Sequence, residues 1–221
     1  MAQRLFATLG LALATALGPA MLSGCASANY AIQERFGNEK RDILVARVEG
    51  VAKSQEDAKE EFEDALEAFR AVVDVDGGEL ETTYDRLNAA YKRADSQAGE
   101  VRSRVASVKR VSRDLFREWE GELAYYSDPA LRRSSERQLD ATRARYDQLA
   151  ARIDTATASM DPVLDVFGDR VLYLKHNLNA RSIASLGAES ASLEADVERL
   201  IAEMERSIAE ADAFIAEMRA A

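Results

Sequence analysis

Between Leu80 and Trp119 the chain carries apolar or small side chains at steps that alternate between three and four residues. The positions are Leu80, Tyr84, Leu87, Tyr91, Ala94, Ala98, Val101, Val105, Val108, Ser112, Leu115 and Trp119. A mean step of 3.5 is the repeat of helices packed in coiled-coil fashion, because it keeps one stripe facing a partner. The spacing predicts a helix from about Glu79 to Tyr126, roughly 70 Å long at 1.5 Å per residue. A helix with such a stripe has to bury it against another element. A sheet partner is not expected, since aromatic residues make up only 7% of the chain and charged residues 31%. That composition suits long helices, not strands built on β-branched and aromatic runs.

The flanking segments repeat the pattern. Leu44, Val48, Val51, Ala58, Phe62, Ala65, Phe69 and Val72 define a first helix from about Ile32 to Val73, with Gln55 in one polar slot of the stripe. Gly50 is a weak point where a local bend is expected. Asp74-Val75-Asp76-Gly77-Gly78 then ends the helix: the glycine pair permits positive φ and the acids offer caps for the next start. Ser127-Asp128-Pro129 is a second stop and restart, with Asp128 as N-cap and Pro129 in the first turn. A third stripe follows at Leu131, Leu139, Thr142, Tyr146, Leu149, Ile153, Ala156, Met160, Val163, Phe167, Val171, Leu174 and Leu178. Pro162 lies inside it, and the stripe's continuity across the proline predicts a kink, not an end. Leu186-Gly187-Ala188 is the expected turn before a fourth helix, about Glu189 to Met218, using Leu193, Val197, Leu200, Met204, Ala211 and Ile215. One continuous helix from Pro129 to Arg219 is the alternative. Short connections make neighbours antiparallel. The expected fold is all-α, an elongated antiparallel helical bundle or coiled coil of three to four long helices spanning residues 32–221.

The first 24 residues read differently. Arg4 is a short basic start, Leu5 to Gly18 is an apolar run too short to span a bilayer comfortably, and Pro19 breaks it. Leu22-Ser23-Gly24-Cys25 resembles the lipobox of bacterial lipoproteins, which implies a signal peptide over 1–24 and an acylated Cys25. Cys25 is the only cysteine. A plain secretory signal cut near Ala26-Ser27-Ala28 is the competing reading. Residues 25–31 then form a lipidated N-terminus and linker; the linker spans at most roughly 20 Å, and several acyl chains suffice for a stable anchor. Ala26 after the cysteine, in place of aspartate, implies the periplasmic face of the outer membrane where the source has two membranes.

With a net charge of −10 the chain is repelled by phosphate backbones, so nucleic acid is not an expected partner. The charge is uneven. Residues 53–85 hold 12 acids against Lys53, Lys59 and Arg70, whereas residues 101–152 hold 12 arginines and lysines against 8 acids. If the first helix leaves the membrane, the turn at 127–129 returns to it, carrying Tyr125, Tyr126, Arg132, Arg133 and Arg137. Tyrosine and arginine favour the lipid–water interface. The plainer reading is a solvated face laced with ion pairs.

Chemistry is hard to find. His176 is the only histidine, and without cysteine partners it cannot build the usual zinc set. No phosphate-binding Gly-Lys-Ser/Thr loop occurs, and Asp74 to Glu79 is an incomplete calcium loop with its glycine too early. No metal, cofactor or catalytic residue is expected. Lys175, His176, Asn177, Asn179 and Arg181 interrupt ordinary helix chemistry and form the candidate contact surface, with a structural or solvent-facing histidine as the plainer reading.

Four stretches together, Glu34 to Val45, Asp76-Gly77-Gly78-Glu79-Leu80, Leu131 to Leu139 and Leu172 to Arg181, resemble a bacterial family catalogued as a domain of unknown function, number 2959. The resemblance implies a helical, often lipobox-bearing envelope protein and supplies no reaction or ligand. The expectation is therefore a lipid-anchored, non-catalytic scaffold or adaptor that binds another envelope protein, with self-association left open. A periplasmic lipid- or small-molecule-binding helical module is the alternative, although the alanine-rich stripe favours close packing over a cavity.

Overall fold

The computed structural model describes residues 40–75, 79–187 and 190–220. The expected signal peptide, Cys25, the linker, the start of the first helix and the Gly77-Gly78 turn lie outside the described residues. Among the described residues the helices are, in order, α1 (Lys40–Val73), α2 (Leu80–Glu122), α3 (Pro129–Ala158), α4 (Met160–His176), α5 (Ala180–Gly187) and α6 (Ser190–Ala220), with a 3-10 turn at Leu123–Tyr125. The all-α expectation holds: no strand occurs among the described residues. They fall within one compact unit, Asn38–Ala221.

α1, α2, the α3–α4 pair and α6 run up, down, up and down around one core. α1 packs on α2 and α6, and α3–α4 closes the square against the same two helices. Ion pairs mark the register at each side of the square. Arg93 reaches Glu61 at 2.8 Å between α2 and α1, and Lys109 reaches Asp154 between α2 and α3. Arg145 reaches Glu217 at 2.7 Å between α3 and α6, and Arg70 reaches Glu194 at 2.7 Å between α1 and α6. Exposed pairs of this kind contribute little net stability. Their use is to penalise a slipped register, in which like charges would face each other.

The stripe of α1 is buried throughout: Leu44, Val48, Val51, Ala58, Phe62, Ala65, Phe69 and Val72 are shielded from solvent, as is Gln55. In α2 the expected stripe holds at Leu87 and from Ala94 to Ser112, and is displaced by one position at three other places. Thr83, Ala90 and Phe116 are buried where Tyr84, Tyr91 and Leu115 are only half-buried. With the adjacent Val111 and Ser112 taken as one step, the buried face from Thr83 to Phe116 advances about 3.7 residues per step, close to the natural 3.6 of a straight helix. A strict 3.5 repeat drifts about 20° per heptad against a straight helix, which moves burial to the neighbouring residue at both ends.

Pro162 acts as expected. The α3–α4 break is one residue wide, at Ser159, whose backbone stays right-handed helical at φ −71° and ψ −15°. Pro162 has no N–H to give the carbonyl of Ala158, and its ring crowds that oxygen. Ser159 donates from both its N–H and its hydroxyl to the Thr155 carbonyl. The core continues across the break through Ala156, Met160, Val163 and Phe167. Gly50 produces no interruption, because α1 runs through it; a side chain there would meet the Arg104 guanidinium at 3.1 Å.

Two expectations are corrected. The third helix does not continue to Leu186: it stops at His176, the eight-residue α5 follows, and α6 begins at Ser190. One helix from Pro129 to Arg219 is likewise excluded. Leu131 is not core but 58% exposed, in a first turn of α3 whose residues 129–134 are all exposed. Phe167→Ala is expected to destabilise the fold by about 3–5 kcal/mol, the cost of emptying a fully buried aromatic site. Leu131→Ala is expected to stay within about 0.5 kcal/mol. Denaturant midpoints of the two variants check both values.

Candidate functional site

Asparagine side chains end α4 and start α5. Asn177 leaves helical geometry at φ −132° and ψ 44°, and its N–H still reaches the Leu174 carbonyl at 3.1 Å. Its side-chain amide donates to the Tyr173 carbonyl at 3.0 Å, which satisfies an otherwise unpaired acceptor of the last turn. Asn179 accepts from the N–H of Ser182 at 3.2 Å and from its hydroxyl at 3.3 Å, the pattern of an N-cap. So the two asparagines singled out as contact residues have local structural work that sequence spacing did not reveal.

The remaining candidates stand outward at the same corner. Lys175, His176 and Arg181 are exposed, and among the described residues none of the three has an ion-pair partner. Beside them lie two residues not singled out from the sequence: Leu172, 58% exposed, and Tyr173, 42% exposed. They sit off the α4 stripe at the positions following the buried Val171, so the stripe rule alone marks them as outward apolar residues. The corner is packed at the end of the bundle where α1 finishes: a side chain on Gly187 would meet Val73 at 3.1 Å, and Arg70 clips α1 to Glu194 of α6. The hydrogen bond from Arg70 holds the Glu194 carboxyl below its ordinary pKa.

The opposite end gathers the start of α1, the end of α2, the start of α3 and the end of α6. Lys40 pairs with Glu118, and Arg41 donates to the Met218 carbonyl. Trp119, expected in the core, is half-buried, with its indole N–H donating to the Ser135 hydroxyl at 2.8 Å. A cavity of about 200 Å³ lies beneath it, lined by Arg41, Trp119, Thr142, Arg145, Phe214 and Met218 among others. That is smaller than the 300–1,000 Å³ typical of small-molecule sites. A larger groove of about 380 Å³ between α1 and α2 is floored by alanines and rimmed by Asp64, Glu67, Arg86 and Arg93. Arg93 is already committed there to Glu61 and Asp64.

The basic character assigned to residues 101–152 is largely spent inside the bundle. Arg102, Arg104, Lys109, Arg117, Arg132, Arg143 and Arg145 all pair with carboxylates. Arg143 also lies 5.1 Å over the Phe116 ring. Tyr146 stacks edge-on between Phe116 and Phe214, and burial raises its phenol pKa above the ordinary value of 10.

Polar atoms are buried without partners at mid-height. Both amide atoms of Gln55 and the hydroxyl of Ser207 lack hydrogen bonds, and both residues are fully buried. The Lys59–Glu205 ion pair places these two positions of α1 and α6 at nearly the same level, and the Gln97–Ser54 contact ties that level to α2. Among the described residues no group of three or more His, Cys, Asp or Glu is placed to hold a metal ion, and no helix is long and apolar enough to cross a membrane.

A closed four-helix bundle with two unlike corners is the class of protein that these elements define. The chain belongs to the family described as Protein of unknown function (DUF2959), whose model matches residues 29–218. Neither a curated protein nor a solved structure matches the chain.

Gln55→Met keeps the volume while removing two unpartnered polar atoms, so it is expected to raise stability by about 1–3 kcal/mol. Asn179→Ala removes a cap and is expected to lower stability by about 0.5–2 kcal/mol. Thermal or urea unfolding of each variant against the parent reads both signs.

Proposed function

We propose that this protein is a lipid-anchored component of the cell envelope that acts as a non-catalytic scaffold or adaptor. Acylated Cys25 would hold it to the membrane, on the periplasmic face of the outer membrane where the source has two. The bundle then carries a partner-binding corner away from that surface. The observation that carries the reading is the corner at the end of α4. Leu172 and Tyr173 lie exposed beside unpaired Lys175 and Arg181, while the backbone beneath them is held by Asn177 and Asn179.

Such a patch combines apolar area with positive charge that has no ion-pair partner among the described residues, on a capped helix end. It suits an acidic, partly apolar protein surface, because aromatic anchors supply contact energy and rim charges steer the encounter. The corner also lies at the end of α1 opposite to Lys40. A helix of 34 residues separates the two by about 50 Å. That distance lets one end stay at the membrane while the other reaches into the periplasm. Catalysis has no comparable support, since no group of three or more His, Cys, Asp or Glu converges on either cavity among the described residues.

Two measurements test the reading. Mass spectrometry of the protein purified from its native membrane is expected to find an N-terminal acylated Cys25, with Cys25→Ser abolishing the modification. A photoreactive residue in place of Leu172 or Tyr173 is expected to trap one discrete envelope protein in cells, and Lys175→Glu with Arg181→Glu to reduce that product. Recovery of only lipid adducts or self-products would count against the adaptor role.

A further inference from the structure

We infer that the α2–α3 corner, built on Tyr125, Tyr126 and Leu131, rests on the lipid bilayer and sets how the bundle stands on it. Three of the five large apolar side chains that the described residues leave exposed fall within these seven positions: Tyr125 at 86%, Tyr126 at 42% and Leu131 at 58%. They flank a turn with its own reasons to be rigid. The Asp128 carboxylate accepts from the Ala130 N–H at 2.7 Å, and Pro129 opens α3 with its φ already suited to the helix. The apolar side chains are therefore presented outward by a capped helix start.

The charges around the corner fit a lipid surface. Arg132 is held by Glu136 at 2.9 Å, but Arg133 and Arg137 are exposed, and among the described residues neither has an ion-pair partner. Tyrosine favours the lipid–water boundary because its ring is apolar and its hydroxyl is wet, and arginine alongside it meets anionic head groups. Glu122 and Asp128 are exposed nearby, so the corner carries little net charge. The apolar side chains lead and the two free arginines add to them.

Position singles out lipid as the occupant. Lys40 at the start of α1 pairs with Glu118, seven residues before Tyr125, so the corner belongs to the end of the bundle from which the chain runs back toward Cys25. The 14 residues between Cys25 and Lys40 reach at most about 50 Å when fully extended. The inference rests on the anchored reading for this tether. With the tether in place, even weak contact by a few side chains is enforced by the high effective concentration of the surface. The upper corner of Leu172 and Tyr173 does not share this constraint, which makes it the internal control.

The test supplies the tether artificially. The segment 38–221, which closes its own core and contains no cysteine, is held through an N-terminal histidine tag on vesicles of phosphatidylethanolamine and phosphatidylglycerol containing nickel-chelating and doxyl-labelled lipids. A fluorophore on Ser127→Cys is expected to be quenched about twofold or more over one on Ser185→Cys at the far corner, as interfacial depth requires. Tyr125→Ser with Leu131→Ser is expected to remove most of that difference, and Arg133→Glu with Arg137→Glu to reduce it. Equal quenching at the two probes, or quenching unchanged by the serine substitutions, would overturn the inference. All these positions are exposed, and circular dichroism checks that the helices persist. Because the tag replaces the acyl chain, an unacylated Cys25 in the native protein would sink the anchored reading without imitating either result.

Discussion

A helix that carries one apolar face has to bury it, and α1 does so against α2 on one side and α6 on the other. Its buried positions run from Ile43 to Val72 with Phe62 and Phe69 fully enclosed. The other elements follow from that burial. Because α1 is covered by its neighbours in sequence and by the last helix, the α3–α4 pair has to span the remaining side of the square. This arrangement tolerates Pro162, since loss of one backbone hydrogen bond at Ala158 is small beside the burial of Met160, Val163, Phe167 and Leu174 beyond it.

The same closure explains where outward chemistry concentrates. Along the sides of the bundle ion pairs such as Arg93–Glu61, Lys109–Asp154, Arg70–Glu194 and Arg145–Glu217 tie each helix to its neighbour. At the ends the helices stop, and residues there have fewer partners. Tyr125, Tyr126, Leu131, Leu172 and Tyr173 are the large apolar side chains left exposed among the described residues, and all five lie within a few residues of a helix end. The ends differ in kind. One is opened by Asp128 and Pro129 next to the start of α1, and the other is held by Asn177 and Asn179 beside the end of α1. The unpartnered Gln55 and Ser207 work in the opposite direction, weakening the middle of the core between α1 and α6.

Periodicity carried most of the fold. The stripe of α1, the stop at Ser127-Asp128-Pro129 and the kink at Pro162 could all be read from residue type and spacing, because each depends on local chemistry. The departures came from tertiary geometry. Thr83, Ala90 and Phe116 replace Tyr84, Tyr91 and Leu115 as buried residues because helix winding relative to neighbours is a property of the packed bundle. Leu131 satisfies the stripe spacing yet lies exposed in the first turn of α3. The stop at His176 was obscured because asparagine is tolerated in a helix, and only its hydrogen bonds to Tyr173 and Ser182 reveal capping. Lys175, His176 and Arg181 were legible as an unusual surface, and the outward position of Leu172 and Tyr173 beside them follows from their lying off the stripe of Val171 and Leu174, although residue chemistry alone did not single them out.

The register of α1 against α6 within one chain is the point on which all of this depends. Short bismaleimide crosslinking of paired cysteines in the segment 38–221 measures it directly. Lys59→Cys with Glu205→Cys pairs positions joined by an ion pair across the two helices, and should link efficiently into a monomeric product. Lys59→Cys with Glu194→Cys lies about three helical turns out of register and should link poorly. Efficient linking of the second pair, or products that join two chains in place of one, would contradict a closed antiparallel bundle with fixed, unlike ends.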